Sequence, residues 1–409
     1  MLPLFRITYR LYALAIRLVS PFNPKAKEWS RGRSRIREDL KGIESHSILW
    51  FHAASLGEYE MGKPTMIKLK EAFPEKKLLV TFFSPSGYLH KKDDSTHDFA
   101  CYLPHDTTKQ VQDFLNLVNP EMAVFIKYDF WPTLLKECIT KRIPTSVISA
   151  TFRKKQFVFS SLGLSIRKLL HQFDLIAVQD SRSKELLLSK GFTNVELTGD
   201  GRFDNVSQLS KGEFENEYLK AFCSERQTFF GGSIWEEDEE MILPQIMRHP
   251  YLNFVLAPHD VSEGNVHRLA NRIPAPFVKL SEVSSETNLE DIRVLIIDSI
   301  GLLSRAYRLG SFAFVGGGYK TGLHNILEPA VYEQPVFFGP QHEKFWEAEA
   351  LIRAGGGFEV NSVEDLSSLL KKMTDSETVR SEAGALAYQF VMSNTGASAK
   401  TAKLLSEQL

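Results

Sequence analysis

The 409-residue chain has few cysteines and no long apolar run, and both absences exclude classes of protein. Its three cysteines, at positions 101, 138 and 223, are too far apart for a disulfide framework or a cysteine zinc site. The longest apolar run near the amino end, residues 11–16, is far shorter than the roughly 18 residues of a membrane-spanning helix. With 43% apolar and 24% charged residues, the chain has the composition of an ordinary folded protein.

Patterns that bind metals and cofactors are also missing from the sequence. No Asp-x-Asp pair follows a predicted strand, and no dinucleotide fingerprint or phosphate-binding loop of the Gly-Lys-Ser/Thr type occurs. The following histidines are scattered without the close spacing of zinc ligands: His52, His105, His259, His324 and His342. We therefore expect metal-independent chemistry without a bound cofactor.

The net charge of −1 conceals a strongly basic amino end. Residues 1–37 carry a net charge of +8, and Arg6, Arg10 and Arg17 fall within about 40° of one another on a helical wheel. This pattern predicts a helix that lies in an anionic membrane interface through residues 1–37. The alternative is an amphipathic helix packed on the protein's own core. Nucleic acid is not an expected partner, because aromatic and basic residues do not interleave after this segment.

Short apolar runs alternate with helical stretches in two successive series after residue 45. The predicted strands of the first series are 48–51, 78–83, 99–103, 122–126, 146–149, 175–178 and 195–198. Those of the second series are 228–230, 253–256, 277–280, 294–297, 312–315, 336–338 and 357–360. The pattern predicts an α/β protein with two doubly wound, Rossmann-like domains facing a cleft. The predicted segments are a membrane-associating part (1–40), a first domain (41–205), a linker (206–226) and a second domain with the carboxy-terminal helices (227–409).

Two motifs follow strands of the first series. Residues 50–58 run from a strand through a small-residue turn into a helix that begins near Glu58. This carboxylate is a candidate general base, and the alternative is a residue that caps its own helix. The second motif, residues 126–132, offers Lys127, Asp129 and Trp131 as acceptor contacts, or else an aromatic packing cluster with solvated charges.

The richest motif follows a strand of the second series, where Gly316, Gly317 and Gly318 precede a helix predicted to begin near His324 or Asn325. Backbone amides and a helix amino end are suited to a phosphate. Glu328 is predicted one turn inside that helix, where it would meet ribose hydroxyls or cap the helix. A further glycine turn, which includes Gly232 and Ser233, follows the first predicted strand of the second domain.

In combination these motifs resemble the 3-deoxy-D-manno-octulosonic acid (Kdo) transferases of lipopolysaccharide synthesis. The resemblance covers most of the chain, and its motifs are the basic start, residues 53–58, Trp131-Pro132, Thr198-Gly199-Asp200 with Phe203-Asp204, Gly232-Ser233 and residues 324–330. It implies a GT-B glycosyltransferase fold, CMP-Kdo as donor substrate and a lipid A precursor as acceptor. It also implies a peripheral or monotopic protein on the cytoplasmic face of the cell inner membrane.

Residue roles follow from the matched motifs. Glu58 would be the catalytic base of an inverting transfer. The expected acceptor contacts are Ser55, Gly57, Lys127, Asp129 and Trp131. The expected donor contacts are Gly232, Ser233, His259, Gly316, Gly317, Gly318, Lys320, His324, Asn325 and Glu328.

The sequence departs from the family pattern after the second strand of the second domain. The family usually has Pro-Arg-His there, whereas this chain has Pro258-His259-Asp260, so His259 or Arg268 would replace the donor-site arginine. Two other interpretations stay open. In the first, the chain is another GT-B transferase or a sugar-nucleotide epimerase. In the second, it is a non-catalytic peripheral membrane protein that binds a nucleotide.

Overall fold

The computed structural model describes residues 2–320 and 322–409, without the side chains of residues 2–7 and 10. Its contacts divide the chain into two compact units. The first comprises Met1–Asn205 together with Thr395–Leu409, and the second comprises Val206–Asn394. Each unit is built around its own parallel sheet.

The sheet of the first unit has seven described strands in the order β3-β2-β1-β4-β5-β6-β7. They are β1 Ile48–Ala53, β2 Lys77–Phe82, β3 Phe99–Tyr102, β4 Met122–Ile126, β5 Thr145–Ala150, β6 Leu175–Val178 and β7 Val195–Leu197. Nearly every residue of these strands is buried, because helices cover both faces of the sheet. The order reverses at β1, so the carboxyl ends of β1 and β4 flank the switch point where such sheets bind ligands.

The helices up to the boundary between the units are α1 Leu2–Val19, α2 Pro24–Gly32, α3 Ile36–Asp39, α4 Leu56–Ala72, α5 Pro85–Lys91, α6 Thr108–Val118, α7 Pro132–Thr140, α8 Leu164–Leu170, α9 Ser181–Leu188 and α10 Gly201–Lys211. Short 3₁₀ turns occupy Arg33–Arg35, Ile43–Ser45, Phe157–Phe159 and Ser161–Gly163. Side-chain caps fix several helix starts. Ser55 accepts the amide hydrogen of Glu58 at the start of α4, and Asp180 accepts that of Ser183 at the start of α9.

The second unit repeats this plan with the strand order β10-β11-β9-β8-β12-β13-β14 among its described residues. Its strands are β8 Thr228–Ile234, β9 Asn253–Pro258, β10 Phe277–Lys279, β11 Val294–Ile296, β12 Phe312–Val315, β13 Val336–Phe338 and β14 Gly357–Glu359. Its helices are α11 Glu217–Ser224, α12 Glu236–Arg248, α13 Glu263–Ala270, α14 Leu303–Ala306, α15 Leu327–Ala330, α16 Trp346–Ala354, α17 Val363–Asp375 and α18 Glu377–Ser393, with 3₁₀ turns at Leu280–Glu282, Leu289–Asp291 and Tyr307–Leu309. Every predicted strand is present, and the prediction of two doubly wound, Rossmann-like units is confirmed.

The chain ends in α19 Ala397–Ser406, which packs on α4 in the first unit. The Asp204 carboxylate fixes the start of this helix by accepting the amide hydrogens of Gly396 at 2.7 Å and Ser398 at 2.8 Å. This division differs from the sequence prediction, which assigned all carboxy-terminal helices to the second domain. The predicted linker 206–226 also differs, because it contains most of α10 and all of α11.

The amino-terminal segment forms the helix α1. The side chains of Arg6 and Arg10 lie outside the described part of the structure, whereas Arg17 is exposed. Several large apolar side chains of α1 and the turn after it are exposed, namely Leu11, Tyr12, Leu14, Leu18, Val19 and Phe22. In the described residues, no helix is both long and apolar enough to cross a bilayer.

Candidate functional site

Glu58 lies at the carboxyl end of β1, in the first turn of α4. Ser55 caps the helix by accepting the Glu58 amide hydrogen at 3.4 Å, and Glu58 Oε2 accepts the Ala54 amide hydrogen at 2.6 Å. Ser55 is therefore the N-cap, and Glu58 bonds to the residue before it, so helping to fix the start of α4 is part of the role of Glu58. Gly57 is exposed, and a side chain there would meet open space.

The environment of Glu58 also suits proton transfer. The side chain is only 9% exposed, and burial raises the pKa of its carboxyl to about 7. The negative charge of Asp129 raises that pKa further, whereas the Ala54 amide and the charge of Lys127 lower it. A carboxylate with a pKa near neutrality can accept a proton from a substrate hydroxyl and release it again.

Asp129, which follows β4, bonds to two side chains at the edge of the sheet where the carboxyl ends of β1 and β4 lie. Its Oδ2 lies 2.8 Å from His52 Nε2 and accepts the indole N–H of Trp131 at 2.8 Å. His52 is buried, and its Nδ1 lies 3.0 Å from Thr81 Oγ1. The sequence prediction named Asp129 and Trp131 as acceptor contacts, but it did not include His52. The available signal was a histidine that directly follows the apolar run of a predicted strand.

Lys127 directly follows β4 in a left-handed backbone conformation with φ of 73°. Its amide donates to the Ile148 carbonyl at 2.9 Å, and its ammonium lies 5.2 Å from the centre of the Tyr128 ring. A positive φ is costly for a lysine, and such strain concentrates at functional positions. Tyr128 itself is largely exposed.

Trp131 joins this edge to α1 through an aromatic cluster, which consists of Tyr9, Trp29, Phe83, His105 and Trp131. The Trp131 ring lies 4.9 Å from Phe83 and 5.3 Å from Tyr9, and the Tyr9 hydroxyl lies 2.7 Å from His105 Nδ1. The Arg33 guanidinium stacks on Trp29 at 3.9 Å and donates to the carbonyls of Trp29 and Phe83. The predicted acceptor residue Trp131 is thus anchored by the basic amino-terminal segment.

The glycine turn after β12 differs from the expected phosphate cradle. The Gly316 amide donates to the Gly232 carbonyl, and the Gly317 amide donates to Asp238 Oδ2, each at 2.9 Å. The glycines are required for close backbone packing, since a Cβ at Gly318 would lie 2.6 Å from the Gly339 nitrogen. The prediction that this whole run of amides cradles a phosphate is therefore wrong for Gly316 and Gly317.

The predicted helix start near His324 or Asn325 is also corrected. Helix α15 covers only Leu327–Ala330, and Glu328 is its second residue rather than one turn inside. Proline has no N–H and is favoured in the first turn of a helix, and Pro329 is the third residue of α15. Asn325 bonds to the first two residues of α15. Its Oδ1 accepts the Leu327 amide hydrogen, and its Nδ2 donates to Glu328 Oε1 at 3.1 Å.

Three aromatic rings gather between this turn and the start of α12. Trp235 Nε1 donates to His324 Nε2 at 3.0 Å, and the His259 ring lies 4.5 Å from both rings. Burial lowers the pKa of His324 to about 4. The structure therefore brings together two predicted donor contacts, His259 and His324. It adds Trp235, which sequence reasoning passed over although it directly follows β8. The predicted glycine turn is corrected here, because Gly232 and Ser233 lie inside β8 rather than after it.

The remaining predicted donor contacts differ in backbone conformation, packing and exposure. Ser233 adopts a left-handed φ of 52°, and Gly232 leaves room for the buried Tyr307, whose hydroxyl would lie 1.7 Å from a Cβ there. Lys320 is exposed and pairs with Glu237 at 2.7 Å. Arg268 is not available to replace an arginine of the donor site, because both oxygens of the buried Glu239 bind its guanidinium.

Within the described ranges, no group of three His, Cys, Asp or Glu side chains is arranged to hold a metal ion.

Part of the chain is similar to a known family of proteins. Residues 28–205 match the sequence profile of 3-deoxy-D-manno-octulosonic-acid transferase (kdotransferase). A 3-deoxy-D-manno-octulosonic acid transferase of Haemophilus influenzae is 28% identical over 378 residues, which are 88% of this chain and 87% of that protein. A bifunctional glycosyltransferase/methyltransferase of Fusobacterium nucleatum is 24% identical over 87% of this chain, but the match spans only 57% of that longer protein.

Solved structures share the fold at low sequence identity. The UDP-GlcNAc 2-epimerase from Neisseria meningitidis, bound to UDP-GlcNAc, superposes with a TM-score of 0.62 at 14% identity. The superposition covers 88% of this chain and 99% of the epimerase. At this identity the likeness shows the GT-B-like architecture and leaves the reaction to the site residues.

Proposed function

We propose that the chain is a 3-deoxy-D-manno-octulosonic-acid (Kdo) transferase, which transfers Kdo from CMP-Kdo to a lipid A precursor. The transfer inverts the configuration at the anomeric carbon. Buried Glu58, at the carboxyl end of β1 and with a pKa near neutrality, is the observation that carries this proposal.

Glu58 is the proposed general base. Its Oε2 is fixed by the Ala54 amide, so Oε1 is the oxygen that takes the proton of the acceptor hydroxyl. The deprotonated hydroxyl oxygen forms the new bond to the anomeric carbon, and the bond from that carbon to the CMP phosphate breaks. We assign acceptor contacts to Lys127 and Trp131, whereas Ser55 and Asp129 act mainly by holding Glu58 and its surroundings in place.

The second unit is the proposed donor-binding unit. Because the amides of Gly316 and Gly317 are already bonded, the phosphate of CMP is assigned to side chains around the turn: Lys320, His259 and His324. Asn325 and Glu328, which are bonded to each other, are assigned to the ribose hydroxyls. The proposed reaction needs no metal, and transfer should persist in excess EDTA. Loss of activity that a divalent ion restores would contradict this part.

Association with the cytoplasmic face of the cell inner membrane belongs to the same proposal. The basic segment 1–37 and the exposed apolar side chains of α1 support an interfacial helix. Deleting residues 1–20 should release the protein from anionic vesicles. Since Tyr9 packs on Trp131, the deletion should also weaken use of the acceptor.

The deciding experiment combines the purified protein with CMP-Kdo and a lipid A precursor and identifies products by mass spectrometry. A mass increase of the lipid by one or more Kdo residues, with release of CMP, is expected. A parallel incubation with UDP-GlcNAc tests the epimerase alternative. Epimer formation without Kdo transfer would replace the proposal, and binding of CMP without any turnover would favour the non-catalytic alternative.

A further inference from the structure

The turn between β5 and α8 exposes large apolar side chains far from α1 in sequence. This turn, residues 151–163, contains the two 3₁₀ segments Phe157–Phe159 and Ser161–Gly163. Phe157 is 55% exposed and Leu162 is 57% exposed, and Leu164 at the start of α8 is also exposed. Exposed leucines and phenylalanines that cluster within eight residues are unusual on a surface that faces only water.

The turn holds these side chains outward through a packed interior. Val158 is buried, and the Phe159 ring lies 6.0 Å from that of buried Phe152. Gly163 allows a close return of the backbone, since a Cβ there would lie 2.0 Å from the Phe157 carbonyl oxygen. The Gly163 amide also donates to the carbonyl and the hydroxyl of Ser160, both at 3.1 Å. Phe157 and Leu162 therefore point away from a fixed scaffold.

The charge around these apolar side chains has one sign. Residues 151–173 contain five basic residues and no Asp or Glu, and the basic residues are Arg153, Lys154, Lys155, Arg167 and Lys168. Lys154 and Lys155 are exposed and lie three and two residues before Phe157 in the sequence. Apolar side chains that enter the acyl boundary, flanked by cations that meet lipid phosphates, are the combination that binds an anionic bilayer surface.

We propose that the β5–α8 turn is a second membrane contact, in which Phe157 and Leu162 insert into an anionic bilayer while Lys154 and Lys155 bind lipid phosphates. This contact adds to the association assigned to residues 1–37 and depends on neither Glu58 nor the transfer reaction. The unbroken basic charge favours a bilayer over a protein partner, because interface cores between proteins are usually depleted of charged residues, lysine among them.

The test uses the full-length protein and co-sedimentation with vesicles of phosphatidylcholine, with or without phosphatidylglycerol. The double substitution Phe157→Ser with Leu162→Ser should weaken binding to both vesicle types by about tenfold or more. The double substitution Lys154→Glu with Lys155→Glu should remove most of the preference for phosphatidylglycerol. Leu188→Ser, an equally large exposed apolar side chain on α9, is the matched control and should bind like the parent.

Two further measurements separate the outcomes. Unchanged thermal unfolding and CMP affinity of the serine variant show that the fold and the second unit are intact, so a failed transfer assay would not affect this test. Parent-like vesicle binding by the serine variant would overturn the proposal. A change in oligomeric state on size-exclusion chromatography, without a change in vesicle binding, would also overturn it and assign the turn to a second copy of the chain.

Discussion

The two units place a carboxylate at the same point of the same motif, yet the two carboxylates differ in what they can do. In each unit the central strand leads into a helix whose third residue is acidic, Glu58 in α4 and Asp238 in α12. Each side chain turns back to accept a backbone amide hydrogen near the helix start. Local sequence therefore specifies a capping carboxylate in both units.

The two carboxylates differ in their further hydrogen bonds and in their burial. Asp238 is completely buried, and its Oδ2 accepts the amide hydrogens of both Trp235 and Gly317, so it ties the α12 start to the glycine turn. Glu58 accepts one amide hydrogen, from Ala54, and is 9% exposed. Burial raises the pKa of both carboxyls, to about 7 for Glu58 and about 6 for Asp238. A raised pKa alone thus does not identify the base, and neither does an unbonded oxygen, because Asp238 Oδ1 is buried without a partner. Exposure separates the two carboxylates, since Glu58 is 9% exposed and Asp238 is fully buried.

Glu58→Gln should have the largest effect and should lower the transfer rate without changing CMP affinity. Glutamine preserves the acceptor for the Ala54 amide but cannot take a proton, and loss of a general base commonly lowers the rate by about 10²–10⁴. The transfer rate and CMP affinity are measured together, with Glu71→Gln, an exposed residue of α4, as the control. Near-parental turnover of the variant would remove Glu58 from its proposed role.

Glu328→Ala tests the proposed nucleotide site in the second unit. It removes a carboxylate that holds Asn325, and loss of a charged hydrogen bond to the nucleotide costs about 1.5–3 kcal/mol, or roughly 10- to 100-fold in CMP affinity. Calorimetry with CMP checks this, and Glu58→Ala should bind CMP like the parent. The opposite result for the two variants would place the nucleotide in the first unit.

The stability of Glu58→Gln should depend on pH. A carboxyl whose pKa is higher in the folded state than in the unfolded state favours folding below its unfolded value, and this contribution is lost as pH rises through about 7. At about pH 8, urea unfolding should therefore give Glu58→Gln a free energy of unfolding roughly 1–3 kcal/mol higher than that of the parent. At about pH 4 the two free energies of unfolding should be equal. Asp238→Asn should not be stabilised in the same way, because its new amide group would replace an oxygen that is already buried without a partner. Equal gains in both variants would erase the distinction between the two carboxylates.

Lys127→Gln should produce the smallest effect, a shift in the pH dependence of transfer. Transfer should rise with pH as Glu58 loses its proton near pH 7, and the charge of Lys127 lowers that pKa. Removing the charge should move the rising limb of the kcat profile to higher pH, by less than about one unit. A shift to lower pH would mean that Lys127 does not act on Glu58 in this way.

The strands and the position of Glu58 could be predicted from the sequence, because both depend on local patterns. Apolar runs of strand length identify buried parallel strands, and a small-residue turn before an acidic residue marks a helix start. The position of α19 could not be predicted in this way, since it depends on Asp204, which lies almost 200 residues earlier in the chain.

The same limit applies to the site around the glycine turn. Three consecutive glycines predict exposed amides, but the side chain that occupies one of them, Asp238, comes from another helix. The partnership of Asp129 with His52 likewise joins residues 77 positions apart. The late start of α15 agrees with Pro329 in its first turn, but a proline alone does not fix a helix start, since Pro64 lies inside α4.

The indole of Trp235 has a consequence for the proton on its neighbour. Indole nitrogen can only donate, so His324 Nε2 must carry a lone pair, and the ring's single hydrogen resides on Nδ1. Since the pKa of this histidine is about 4, the tautomer is fixed across the physiological pH range. His324 is therefore a hydrogen-bond donor without being a cation. It can hold a nucleotide phosphate in orientation without the tight ionic attraction that would slow its departure.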